Sequence, residues 1–156
     1  MRLHICAVGR MRAGPMRGLF DDYILRADRT GRALALGPTT LQEVEDKKGG
    51  GPAAEAALLE RTLPQGAVRV ALDERGRTLT SPDFAQKIAD WRDAGRADLA
   101  FVIGGADGIA PDLRDSADFS LSLGKMVWPH MLARVMLAEQ IYRATTILAG
   151  GPYHRS

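Results

Sequence analysis

The chain has 156 residues, 46% hydrophobic and 26% charged, with a formal net charge of +2. That length suits one domain able to bury about 70% of its unfolded surface, and the composition is ordinary for a soluble globular protein. No apolar run approaches the ~20 residues that span a bilayer, MRLHICAVGR lacks the long apolar core of a signal peptide, and a single cysteine excludes an internal disulfide or thiolate metal cluster. A cytoplasmic protein without a metal or membrane partner is the expectation.

Leu3 to Val8 alternates and stops at Gly9, the pattern of a first strand, with Cys6 as a small core residue on it. Pro15 to about Ala27 predicts a helix, because Met16, Leu19, Phe20, Tyr23 and Ile24 recur at helical spacing. Arg32 to Leu36 reads as a second short strand closed by Gly37-Pro38. Thr39 to Gly51 ends in a charged, glycine-rich run and predicts a mobile surface loop. Its triple glycine lacks the Lys-Ser/Thr that would follow in a phosphate-binding P-loop.

Pro52 to Leu63 predicts a helix, and Ala67 to Leu72 a strand that ends at Asp73 and turns through Glu74-Arg75-Gly76. Ser81 reads as the N-cap of the next helix, with Pro82 at its first position, running to about Ala94. Leu99 to Ile103 is continuously apolar, which predicts a strand buried on both faces. It stops at Gly104-Gly105. Pro111 to Ala117 predicts a short helix and Phe119 to Leu123 the last strand. Strands and helices alternate throughout, so the fold class is α/β: a mostly parallel sheet of five to six strands with helices on both faces, in one domain.

Leu121 to Arg143 is the most distinctive stretch. A strand end breaks at Gly124, and a short loop leads through Pro129 into a long helix bearing Met131, Leu132, Val135, Met136, Leu137, Ile141 and Tyr142. That apolar band is too wide for a simple surface helix, so the helix should be covered on two sides. In open α/β sheets the ligand lies beyond the carboxyl ends of the strands. Three such ends carry suggestive residues: Leu72-Asp73, Gly104-Gly105, and the Gly124 to Trp128 loop. The glycines permit close backbone approach, although the Gly104 to Gly108 turn lacks G-x-G-x-x-G spacing and is equally an ordinary tight turn. Asp73 suits a ribose hydroxyl or, more simply, the organisation of its own turn. From Leu121 onward four cations (Lys125, Arg134, Arg143, Arg155) face one acid, Glu139. That balance fits an RNA or phosphate partner and a solvated helix face alike.

The ordered set Ala7-Val8-Gly9-Arg10, Ala71-Leu72-Asp73, Phe101 to Gly105 with Gly108, Leu121 to Met126, Pro129-His130, Arg134-Val135, Glu139 to Ala144 and Pro152-Tyr153-His154-Arg155 resembles the ribosomal RNA large subunit methyltransferase H family of the SPOUT superfamily. The resemblance implies a C-terminal trefoil knot and a homodimer packed through the last helix, with knot and dimer helix at about 100–150. It implies S-adenosylmethionine as methyl donor, held largely by backbone groups at Leu72, Gly104, Gly105, Leu123, Gly124, Lys125, Met126, Val127 and Trp128. Val127-Trp128 departs from the family's more usual Thr followed by Leu or Phe. The implied substrate is a pseudouridine in large-subunit (23S) ribosomal RNA, methylated at N3 within the assembled ribosome.

That imide nitrogen must lose its proton before it can attack, so a base or a cation that stabilises the imide anion is required. A histidine side chain ordinarily titrates near neutrality, so His130 and His154 suit the proton. Arg143 and Arg155 suit phosphate or the imide oxygens, and Tyr153 suits stacking on a base turned out of its stem-loop. Each has a structural alternative: His130 bracing its loop, Arg143 pairing with Glu139 at i, i+4, and a disordered terminus for the tail. Arg134 suits either dimer or RNA contact.

Overall fold

Strand β1 (Arg2–Val8) sends its side chains alternately into two apolar layers, and the rest of the chain is assembled on those layers. The structure, a computed structural model, describes residues 1–155. In chain order, β1 is followed by α1 (Pro15–Gly31), β2 (Thr39–Val44), α2 (Gly51–Glu60), β3 (Val68–Thr78), α3 (Ser81–Asp93), β4 (Asp98–Ile103), α4 (Pro111–Asp115), β5 (Phe119–Ser122) and α5 (His130–Leu148). The five strands form one parallel sheet in the order β2-β1-β4-β3-β5. Every residue of β4 is buried, as its continuous apolar run predicts.

On one face, Leu3, Ile5 and Ala7 join Val68, Val70, Leu99, Phe101 and Ile103 against Phe20 of α1, Phe84 and Ile88 of α3, and Val135, Leu137 and Ile141 of α5. On the other face, Cys6, Val8 and Val102 meet Leu59 of α2 and Leu113 of α4. The α/β architecture with helices on both faces is thus as the sequence predicts. The breadth of apolar surface on α5 has an explanation within the chain, because the helix packs between the sheet, α1 and α3.

The second strand lies elsewhere than predicted. Arg32–Leu34 is a 3-10 turn that continues α1, and Ala35 then takes a left-handed conformation (φ 57°). Its Arg-Ala-Leu composition favours helix, so the short alternation misled. Strand β2 instead occupies Thr39–Val44, where the sequence predicts loop. It is an edge strand paired only with β1, so Thr40 and Gln42 remain exposed while Leu41 and Glu43 turn inward. The N-cap of α3 is also displaced by one residue. Thr80 accepts from the Asp83 N–H at 3.2 Å, and Ser81 instead donates to Gln140 at 2.8 Å.

At the amino ends of the strands, Asp98 accepts from His4 Nε2 (2.8 Å) and is paired with Arg2 (2.8 Å). Burial pushes its carboxyl up, but the bonds from His4 and Arg2 outweigh burial and hold it below the usual carboxylate range. Asp98→Ala is expected to cost about 1–3 kcal/mol near neutrality, since it strands the buried His4 ring donor. The folded carboxyl titrates below its unfolded value of ~3.9. Its contribution is therefore present above that pH and fades as pH falls through the folded value. Chemical denaturation across pH 2–7 checks this: the gap between the two proteins should close at the acid end.

Candidate functional site

The carboxyl ends of β3, β4 and β5 enclose a cavity of about 370 Å³, within the roughly 300–1,000 Å³ range of small-molecule sites. Three backbone devices shape it. After Leu72, β3 leaves its register with β5 and resumes at Arg77, which places Asp73, Glu74 and Arg75 in the wall. Beyond β4, the chain doubles back so tightly that a β-carbon on Gly104 would lie 2.5 Å from the Gly108 carbonyl carbon. Beyond β5, the Ser122 hydroxyl ties both the N–H and the carbonyl of Gly124, whose φ of 128° only glycine takes readily.

Of the predicted cofactor residues, Leu72, Gly104, Gly105, Leu123, Gly124, Met126, Val127 and Trp128 all line this cavity. Lys125 is exposed and is not among the lining residues. Met126 and Val127 are 72% and 79% exposed, so their side chains find little support from the fold and the loop offers mainly its backbone. Asp73 organises its turn, accepting from the Arg75 N–H (2.9 Å) and lying 3.7 Å from Arg114. Burial pushes its carboxyl up, but the Arg75 hydrogen bonds win and hold it below the usual range.

His130 opens α5, one residue after Pro129, which takes the N-cap position instead of the first turn. His130 is one of the residues lining the cavity, and a β-carbon on Gly9 would stand 3.7 Å from its Nε2. Glu55 of α2, which the sequence did not single out, reaches the same rim. Its carboxylate would lie 3.1 Å from a β-carbon on Gly105. Burial, with Asp107 and Asp46 nearby, pushes that carboxyl up.

Arg134 departs from the predicted surface role, because it is completely buried. Nη1 pairs with Glu43 at 2.6 Å, and Nη2 donates to the Val8 and Gly9 carbonyls at 3.1 Å. Glu43 also accepts the Met11 N–H at 2.6 Å. This pair clamps the turn after β1 between β2 and α5, which positions Gly9 against His130. Burial lowers the Arg134 pKa against the pull of Glu43.

The remaining predicted residues gather farther along α5. Arg143 pairs with Glu139 at 2.6 Å. The tail is docked: the Tyr153 ring lies 4.6 Å from that of Tyr142 and 4.7 Å beneath the Arg143 guanidinium. The Tyr153 hydroxyl donates to Glu139 at 3.0 Å. Burial, then this hydrogen bond, push the Tyr153 phenol up to about 12. Arg143 Nη1 donates to His154 Nδ1 at 3.2 Å. A guanidinium only donates, so His154 must accept there and carry its proton on Nε2. Tyr153 and His154 are therefore hydrogen-bond donors in this arrangement. Arg155 is exposed. At a rise of 1.5 Å per residue, Glu139 and Arg143 lie roughly 14 and 20 Å along the helix from His130. One chain thus presents two groups of candidates, His130 at the cavity and the tail cluster beyond it.

A family model described as "Predicted SPOUT methyltransferase" matches residues 1–154. The chain is 67% identical over 155 residues to "Ribosomal RNA large subunit methyltransferase H" of Ruegeria sp. (strain TM1040), covering 99% of both chains. It is 67% identical over 156 residues to the like-named protein of Roseobacter denitrificans, covering all of both. It is 68% identical over 155 residues to that of Paracoccus denitrificans, covering 99% of both. A likeness of fold alone, at 13% identity and a TM-score of 0.51, joins it to a solved structure titled "The structure of a probable methylase family protein from Haemophilus influenzae Rd KW20", with 99% of this chain and 70% of that one covered.

Proposed function

We propose a reaction for this chain, which belongs to the SPOUT methyltransferase family: transfer of a methyl group from S-adenosylmethionine to N3 of a pseudouridine in large-subunit (23S) ribosomal RNA. Large-subunit ribosomal RNA as the substrate follows the names of the full-length relatives, and N3 of a pseudouridine follows the family resemblance of the sequence motifs. The observation that carries the reading is the cavity itself. Eight of the nine residues expected around the cofactor converge on one space at the carboxyl ends of three adjacent strands. The donor set fits such a molecule, with glycines lining the space at Gly104, Gly105 and Gly124 and apolar walls from Leu72, Leu121 and Leu123.

When bound, the cofactor supplies an electrophilic methyl group. The chain's residues supply the rest. His130, on the cavity wall, is the group left to accept the N3 proton, since Tyr153 and His154 are committed as donors. Arg143, Arg155 and His154 face charge that develops on the imide oxygens, and Tyr153 stacks on the base.

The same reading takes the protein as a single domain over 1–156 acting in the cytoplasm on the assembled ribosome. No helix among the described residues is long and apolar enough to cross a membrane. The segment at about 100–150 forms the trefoil knot and the dimer surface. The separation of roughly 14–20 Å between His130 and the tail cluster supports a homodimer in which a second copy completes each site. Exposed Met16, Leu19 and Leu25 on α1 offer apolar surface for it.

Labelled S-adenosylmethionine and ribosomes lacking the modification provide the test. One methyl per large-subunit RNA, at N3 of a pseudouridine, is the expected result. No incorporation, or methylation of another atom, overturns the assignment.

A further inference from the structure

One carboxylate oxygen holds the tail in place. Glu139 Oε1 accepts from Arg143 Nε at 2.9 Å, from Arg143 Nη2 at 2.6 Å and from the Tyr153 hydroxyl at 3.0 Å. Its other oxygen accepts from Gln140 Nε2 at 2.9 Å, and the Gln140 carbonyl accepts from Ser81 at 2.8 Å. The network therefore reaches from the start of α3 to the C-terminal tail. Arg143 passes it on, lying over the Tyr153 ring and donating to His154 Nδ1.

An ordinary i, i+4 pair on a helix surface would engage its own partner and nothing else. This one also captures a side chain 14 residues away, and its two side chains are only 25% and 18% exposed. The bond from Tyr153 keeps the phenol protonated and its ring oriented. The bond from Arg143 fixes the tautomer of His154, whose Nε2 is buried with no partner among the described residues. A buried N–H without an acceptor is costly, and the outlay is recovered when an acceptor arrives.

We propose that Glu139 is a positioning residue for the transfer: its carboxylate preassembles Arg143 and, through Arg143, His154 into a donor surface for the carbonyl oxygens of the target base, and holds the Tyr153 ring for stacking on that base. The inference rests on the methyl-transfer reading above. It assigns Glu139 no contact with substrate.

Four proteins are compared: wild type, Glu139→Gln, Tyr153→Phe and the double variant. Each is assayed for kcat and KM on unmethylated ribosomes, for S-adenosylmethionine affinity by calorimetry, and for tyrosine ionisation by ultraviolet titration. Glu139→Gln is expected to lower kcat 10- to 100-fold, in line with the cost of about 1 Å of misplacement, while cofactor affinity stays within threefold. One phenol titrating near pH 12 in the wild type should move toward 10. If Glu139 acts through Tyr153, the double variant should be no worse than threefold below the weaker single variant. A kcat within threefold of wild type in Glu139→Gln overturns the inference, as do fully multiplicative losses in the double variant. Should Glu139→Gln fail to fold, Tyr153→Phe alone still decides, because an unchanged kcat there removes the link. A wild type that methylates nothing overturns the reaction reading itself, whereas an active wild type with an unimpaired Glu139→Gln overturns only this proposal.

Discussion

Gly104→Ala is expected to weaken S-adenosylmethionine binding at least 100-fold, about 2.7 kcal/mol, and to lower thermal stability by several degrees. A β-carbon there would lie 2.5 and 2.6 Å from the carbonyl carbon and oxygen of Gly108 and 2.9 Å from the Ile109 nitrogen. All three are backbone atoms, so no side chain can swing aside. The turn from Gly104 to Ile109 must open, and Gly105, Ala106 and Asp107 of the cavity wall move with it. Overpacking of this kind typically costs about 1–3 kcal/mol of stability. Two neighbouring substitutions calibrate the effect. Gly105→Ala meets Glu55 and Val8 side-chain atoms at 3.1 Å, which can yield by a few tenths of an ångström. Gly108→Ala meets nothing within 4 Å but must hold a φ of 82°, at a cost of about 1 kcal/mol or somewhat more. Calorimetry with the three variants should therefore rank Gly104→Ala far below the others. Binding within threefold of wild type in Gly104→Ala would show that this turn is not the cofactor's cradle.

The same turn illustrates what a sequence discloses about a site of this kind. Gly104 and Gly105 follow a continuous apolar run, so the end of a buried strand and a close backbone approach are both visible from residue type alone. The Leu121 to Trp128 stretch is legible for a similar reason: an apolar strand, a glycine and an exposed loop succeed one another locally. Strand β2 was not legible in that way. Its alternation of Leu41 and Glu43 inward with Gln42 outward is present, but a charged residue on the inward side disguises it. Glu43 makes sense only once Arg134 is placed opposite, and the two are 91 residues apart. A buried cation on an apolar helix carries no local signal of its partner, so Arg134 read as surface. The His4 to Asp98 contact, 94 residues apart, is hidden by the same separation. For the tail, residue types pointed to chemistry, but nothing in the terminal Tyr-His-Arg says that it returns to dock on α5. Sequence thus identified the groups, and tertiary contacts decide how far apart they lie and which protons they hold.

Deleting residues 153–156 is expected to abolish methyl transfer, by more than about 1,000-fold, while leaving S-adenosylmethionine affinity within threefold. Neither Tyr153, His154 nor Arg155 lines the cavity between β3, β4 and β5, so the cofactor's immediate walls survive the deletion. The loss falls on the substrate side. It removes the Tyr153 ring, the proton on His154 Nε2 and the Arg155 guanidinium together, and groups that act as a unit fail as a unit. The deletion removes only the contacts of Tyr153 and His154 with Tyr142, Glu139 and Arg143, and the apolar core keeps every residue. Melting temperature should therefore change little, which separates this outcome from simple unfolding. Mixed dimers sharpen the result. Truncated chains that carry an intact cavity can be combined with chains that carry Gly104→Ala and an intact tail. If each site draws its tail from the partner, such a heterodimer retains one complete site and recovers up to half of wild-type activity. If cavity and tail must come from one chain, both protomers are defective and the mixture stays inactive. Loss of cofactor binding in the truncated protein would instead put the tail in the cofactor's own pocket and refute the division between cavity and tail cluster.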